Sequence, residues 1–138
     1  MRIKPLNNDY ILINNYKSKL SDESCRKVYF YKNYVVKIEY YDDIIAGGQC
    51  KNEVALWKRL DKQDREYFVP VLQHRFLKDR MYIVEPKLQF KKNQQNKRQI
   101  FNDIIYPLVE KYQLDDVDED FNWGILKNGK PIIYDYGF

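Results

Sequence analysis

The sequence predicts an α+β protein: a five-stranded antiparallel sheet with one inserted helix, followed by one or two helices and a β-hairpin. Residues 9 to 40 alternate and are rich in β-branched and aromatic side chains, the period-two pattern of half-buried strands. Two later stretches, "QCKNEVALWKRL" and "QNKRQIFNDIIYPLVEKYQL", instead place their apolar residues at helical spacing. Near the end, Lys127-Asn128-Gly129-Lys130 stands between apolar runs, a strong local hairpin signal.

Taken in order, "DYILINNY", "KVYFY" and "YVVKIEYY" read as the first three strands, the last two joined by a short turn at Lys32-Asn33. The helix follows, with Cys50, Val54, Trp57 and Leu60 on one stripe. "YFVPVLQHRFL" and "RMYIVEPKL" are the fourth and fifth strands, hinged by Lys78-Asp79-Arg80. The second amphipathic segment runs through Ile100, Ile104 or Ile105, Leu108 and Tyr112, and Pro107 is expected to kink or split it. After an acidic loop, "DDVDED", comes "FNWGILKNGKPIIYDYGF". With Asn128-Gly129 as a two-residue type I′ turn, Leu126 would face Pro131, Gly124 would face Ile133 and Asn122 would face Asp135. An amide and a carboxylate so opposed could ligate one hard cation such as Mg²⁺, or form a plain cross-strand polar pair.

A chain of 138 residues has the size of one domain. It is read as a single unit, with residues 1–88 forming the sheet and its helix and residues 89–138 a smaller second part. The net charge of +4, from 24 basic and 20 acidic residues, permits a phosphate-bearing partner without demanding one. The N-terminus "MRIKPLNNDY" has no apolar signal segment, so Cys25 and Cys50 are expected as reduced thiols in a cytoplasm. No apolar run approaches the roughly 20 residues that span a bilayer, and no membrane association is expected. The basic stretch "KKNQQNKR" is read as a solvated loop or helix entry, and the acidic loop would oppose a polyanion, so nucleic acid is not the expected partner. His74 is the single histidine, which leaves little for a histidine triad or a zinc site. Trp57 and Trp123 are read as core aromatics.

Two charged residues break the apolar pattern. Lys37 lies between Val36 and Ile38 in a strand, where a lysine is ordinarily a solvated edge residue. Glu53 falls inside the apolar stripe of the helix, where a carboxylate costs several kcal/mol unless a cation meets it. Lys37 is the natural partner to expect.

These residues, in this order, resemble the protein-kinase-like fold, which includes the protein kinases and the aminoglycoside-phosphotransferase relatives. The resemblance implies that residues 1–88 are an N-lobe and residues 89–138 a truncated C-lobe. It implies ATP and Mg²⁺ as ligands, with Lys37 of "YVVKIE" on the α and β phosphates and Glu53 of "KNEVALW" positioning Lys37. Val28 and Val35 would touch adenine, and Glu85 to Leu88, including Lys87, would lie beside its edge. Asn122 of "NWGIL" and Asp135 of "YDYGF" would bind the metal.

Three departures accompany the resemblance. Ser21, Glu23 and Arg26 stand where the phosphate-binding glycines belong, with Arg26 and Lys27 available to compensate. Val117 occupies the place of the catalytic aspartate, five residues before Asn122. Asp116 and Asp118 flank it as candidate bases, or as ordinary members of a solvated loop. A calcium loop is rejected, because Phe121 and Lys127 occupy its required glycine and twelfth positions. The sequence stops where a full kinase would begin its activation loop, and a second subunit is one way to supply what that lobe provides.

Two functions from different classes follow from the resemblance. One is a miniature kinase-like phosphotransferase, acting from ATP on a protein or small-molecule hydroxyl. The other is a pseudokinase that keeps the fold as a protein-binding or inhibitory module. Compact chains of this kind resemble those of phages and other mobile genomes, where modifying or blocking a host protein is the implied role.

Overall fold

The computed structural model describes residues 17–20, 26–31, 33–40, 48–92 and 95–136. Inter-residue contacts group these into two compact units, the first within residues 1–51 and 71–87 and the second within residues 52–70 and 88–138. Residues 52–70 thus group with the later part of the chain.

The first unit is an antiparallel sheet in the spatial order β1-β2-β3-β5-β4, from β1 (Lys17–Leu20), β2 (Arg26–Phe30), β3 (Tyr34–Tyr40), β4 (Gln73–Phe76) and β5 (Arg80–Pro86). Four of the five strands read from the sequence are in this sheet. The first of them, residues 9–16, lies outside the described residues, as do Ser21 and Glu23. Among the described residues the edge place is taken by Lys17–Leu20, which the sequence reading did not assign. The fourth strand is also shorter than expected. Arg65–Tyr67 form a 3₁₀ turn, and Phe68 makes a parallel bridge to Ile133 within the second unit.

The turn between β2 and β3 is closed by Tyr31 N–H donating to Tyr34 O at 2.8 Å, and that between β4 and β5 by Leu77 N–H donating to Arg80 O at 2.8 Å. Period-two alternation then sorts the side chains. One face packs Tyr29, Val36, Ile38, Tyr82 and Val84 into an apolar cluster. The other carries Val35, Lys37 and Glu39 of β3 beside Met81, Ile83 and Glu85 of β5.

Helix α1 (Gln49–Arg59) begins in the first unit and continues into the second. Cys50, Glu53, Val54 and Leu56 are buried along it, and Leu60 is buried just past its end. Trp57, placed on the buried stripe by the sequence, is only half-buried, and Arg65 lies over its ring at 5.1 Å.

The second unit is built on helix α2 (Lys97–Ile100), a π turn (Phe101–Ile105) and helix α3 (Tyr106–Tyr112), which follow one another without a break. Pro107 neither stops nor splits them. A proline inside an α-helix lacks a donor and clashes with the carbonyl four residues back. Here the backbone widens just before it, with Tyr106 N–H donating to Phe101 O, so the strain is relieved in one loose turn.

Phe101, Ile105, Leu108 and Tyr112 face a core that includes Leu56, Phe68, Trp123, Ile133 and Tyr136. The hydroxyl of Tyr112 donates to Asp64 and accepts from Asp61 N–H at 3.0 Å. Lys111 Nζ lies 2.6 Å from Asp61 and 2.7 Å from Asp64. Helix α3 is therefore clamped to the segment that follows α1.

The terminal hairpin pairs β6 (Trp123–Ile125) with β7 (Pro131–Ile133) in a register one residue away from the expected one. Trp123 opposes Ile133, Gly124 opposes Ile132 and Ile125 opposes Pro131. The loop holds three residues, Lys127-Asn128-Gly129. Gly129 N–H donates to Leu126 O at 2.8 Å and Leu126 N–H to Lys130 O at 2.9 Å. Only Gly129, at φ 91°, has positive φ within it. This is a type I turn followed by a left-handed glycine, and Asn-Gly serves it as well as the two-residue turn.

Candidate functional site

Because a one-residue slip changes every partner, Asn122 does not face Asp135. Its carbonyl instead accepts Tyr134 N–H at 2.9 Å, and Asp135 is the next residue along. Both Asn122 (φ 67°) and Asp135 (φ 50°) have left-handed backbones. Such φ values are uncommon outside glycine but best tolerated by Asn and Asp, so both polar residues sit where the strands leave the ladder. The side-chain amide of Asn122 donates through Nδ2 to Asp116 O at 2.8 Å, which ties the acidic loop to the hairpin's open end. Hard oxygen donors of this kind, an amide and a half-buried carboxylate, are the set that Mg²⁺ accepts alongside water and phosphate.

Within the acidic loop, Asp116 and Asp118 are exposed and Val117 is buried between them. Asp118 is committed to the loop itself: Oδ1 accepts Asp120 N–H at 2.8 Å and Phe121 N–H at 3.0 Å. Asp116 has its carbonyl on Asn122 and its carboxylate toward the surface.

The segment after β7 is anchored by Tyr136, whose hydroxyl donates to Val69 O at 2.8 Å while its ring meets Phe68 edge-on at 5.3 Å. Tyr134 packs against Phe90 at 5.4 Å. Burial, with a smaller contribution from the Asp135 charge, raises its hydroxyl above the ordinary tyrosine range.

In the first unit, Lys37 is 6% exposed and Glu85 2%. Their side chains form an ion pair at 2.6 Å between Nζ and Oε1. Val35 opposes Glu85 and Ile83 opposes Lys37, so the pair runs diagonally between neighbouring strands on one face, within reach of long side chains. Val28 opposes Lys37 from β2, and both Val28 and Val35 are half-buried. Glu85, expected beside an adenine edge, thus has its carboxylate on the lysine. Lys87 is exposed, with its ammonium 6.0 Å from the Phe30 ring and its backbone N–H on Asn33 O at 3.0 Å. Glu53, in the second unit, is fully buried on α1.

Sequence reasoning missed Glu39. This residue is 1% exposed, and its two oxygens accept Gln49 N–H at 2.9 Å and Cys50 N–H at 3.1 Å. It therefore caps the start of α1, where unsatisfied donors and the positive end of the helix dipole favour a carboxylate. The available signal was its alternation with Val35 and Lys37. Cys50 is a buried thiol that donates to Lys37 O at 3.7 Å. Among the described residues, no helix is long and apolar enough to cross a membrane.

No family model matches the chain, and neither does any curated protein. Solved structures do. A crystal structure of WbdD matches with a TM-score of 0.63 at 17% identity, over 88% of this chain and 32% of that one. A co-crystal of WbdD with the kinase inhibitor LY294002 matches with a TM-score of 0.58 at 19% identity, over 82% and 30%. Rad53 residues 1–466 in complex with AMP-PNP match with a TM-score of 0.57 at 12% identity, over 91% and 39%. The chain thus spans less than half the length of each of these chains, and at such identities the likeness concerns the fold alone: this chain has a protein-kinase-like fold.

Proposed function

We propose that the chain is a kinase-like nucleotide-binding protein that takes ATP with Mg²⁺ and transfers the γ-phosphate to a hydroxyl of a protein or small molecule. The observation that carries this reading is a buried lysine, Lys37, on a sheet face flanked by the half-buried Val28 and Val35. An ammonium beside apolar side chains is what a phosphate-bearing planar base requires. In this reading Lys37 holds phosphate oxygens, Glu53 serves as a buried acid toward that lysine, and Glu85 and Lys87 lie toward the base. Asn122 and Asp135 would hold Mg²⁺, which neutralises charge developing on the phosphates. Asp116 is the group available to accept a hydroxyl proton, because Asp118 already caps its own loop.

A second reading, a catalytically inactive pseudokinase that binds or blocks another protein, draws support from the Lys37–Glu85 ion pair. There the lysine's charge is already answered inside the sheet. The phage-like setting and a cytoplasmic location belong to either reading by analogy only.

Thermal unfolding followed during titration with Mg-ATP tests the nucleotide claim. A ligand selective for the native state adds about 2.7 kcal/mol of stability at a hundredfold excess over its Kd. A Mg-dependent rise in midpoint that Asp135→Asn and Lys37→Ala both weaken is expected; no shift with any nucleotide leaves the scaffold reading. Transfer of γ-phosphate lost in Asp116→Asn separates enzyme from pseudokinase.

A further inference from the structure

We infer that Glu85 is the resident counter-ion of Lys37, and that an anionic ligand reaching this lysine does so in competition with the Glu85 carboxylate. The inference rests on the nucleotide reading for the identity of the ligand, but not for the existence of the pair.

Position makes the pair a fixed element of the sheet. β3 and β5 are two of the inner strands of the described sheet, hydrogen-bonded to each other along their whole length from Tyr34 opposite Pro86 to Tyr40 opposite Arg80. The ladder holds the two Cα atoms in a fixed offset, so only side-chain rotation can part the charges. Ile83, directly opposite Lys37, is fully buried, and Met81 is nearly so. An ion pair in such surroundings is poorly screened, so each charge depends strongly on its partner. A phosphate oxygen approaching Nζ gains the ammonium's attraction but meets a second negative charge 2.6 Å from the same nitrogen. Glu85 therefore lowers affinity for anionic ligands selectively. A neutral ligand on the apolar flank of Val28 and Val35 does not experience this opposition. Glutamate rather than glutamine at position 85 thus sets how much negative charge a ligand must bring, together with its metal ion, in order to take the lysine.

The experiment compares the wild-type chain with Glu85→Gln, which keeps the shape and an acceptor oxygen but removes the charge. Binding of Mg-ATP and of uncharged adenosine is measured by calorimetry. Separately, acylation of Lys37 by an amine-reactive reagent is followed by peptide mass spectrometry, with exposed Lys87 as the internal reference. The expected result is Mg-ATP bound about tenfold more tightly by E85Q, a change of ~1.4 kcal/mol, with adenosine unchanged and Lys37 labelled faster than in the wild type. Mg-ATP binding that is unchanged or weakened in E85Q overturns the inference, since Glu85 would then be indifferent or would orient the lysine for phosphate.

If neither form binds nucleotide, the proposed function fails and labelling alone decides the pair: faster Lys37 modification in E85Q sustains it, and an unchanged rate removes it. If E85Q is too unstable to assay, Lys37→Met and Glu85→Met are made singly and together. A double variant that melts closer to wild type than either single one sustains the pairing, and additive losses overturn it.

Discussion

Glu39, on a central strand, accepts the backbone amide of Cys50 at 3.1 Å and so caps a helix whose first residue, Gln49, lies ten positions later in the sequence. Two amides depend on one buried carboxylate, and removing it leaves them without that acceptor. Glu39→Ala is expected to destabilise the protein by about 1–3 kcal/mol in urea unfolding, the cost of stranding buried donors and losing a charge at a helix start. Glu39→Gln, which keeps one acceptor oxygen, should lose less.

Gly124 lies under the ring of Phe90. A Cβ placed on it would come within 2.7 Å of both Cδ1 and Cε1. Gly124→Ala should therefore destabilise by about 1–3 kcal/mol through overpacking. Phe90→Leu, introduced in the same chain, should recover part of that loss, because the planar ring is what the new methyl group meets. Denaturation midpoints of the two single variants and the double variant measure the coupling.

Gly129 holds φ 91° in the hairpin loop, a conformation that costs an L-residue roughly 1–2 kcal/mol. Gly129→Ala should destabilise by about that amount, and Gly129→Asn by less, since asparagine tolerates left-handed backbone better. Asn128, which carries no positive φ, should accept alanine at a smaller cost, chiefly that of its side-chain bond to Lys130 N–H at 2.9 Å. A two-residue type I′ turn would instead make both positions sensitive, so the pair of variants reads the register directly.

Burial pushes the Asp64 carboxyl up, but hydrogen bonds from Lys111 and Tyr112 outweigh it and hold the group below its ordinary value. A carboxylate depressed in the folded state stabilises fully above its unfolded pKa of about 3.9, and that contribution disappears as pH falls through the lower folded value. The melting temperature of the wild type should accordingly drop more steeply below about pH 4 than that of Asp64→Asn, which lacks the titrating group at every pH. Near neutral pH the variant should melt lower than the wild type.

How much of this was legible in the sequence depended on the range of the interaction. β3, β5 and α1 declared themselves through periodicity, because each repeats its pattern over seven or more residues. The hairpin was visible from Asn-Gly, but its register was not, since that dipeptide suits loops of two and of three residues equally. Lys37 and Glu53 stood out as charges in apolar company, and both are buried. The contact of Lys37 with Glu85 did not stand out, because it depends on the pairing of β3 with β5 and on a diagonal offset that no local pattern encodes. Glu39 escaped for a related reason: capping rules look to residues immediately before a helix, and here the cap comes from a strand.

The wide turn at Phe101–Ile105 has a consequence for how this chain can vary. Such a turn carries one residue more than regular helix needs, as though an insertion had been absorbed in place. Winding the same residues into regular helix, with none removed, would straighten the coil but rotate everything beyond it by about 100°. Leu108 and Tyr112 would swing away from the interior, and the tyrosine hydroxyl would lose both aspartates it now joins. The apparent irregularity beside Pro107 is therefore what keeps the downstream helix in phase with its neighbours.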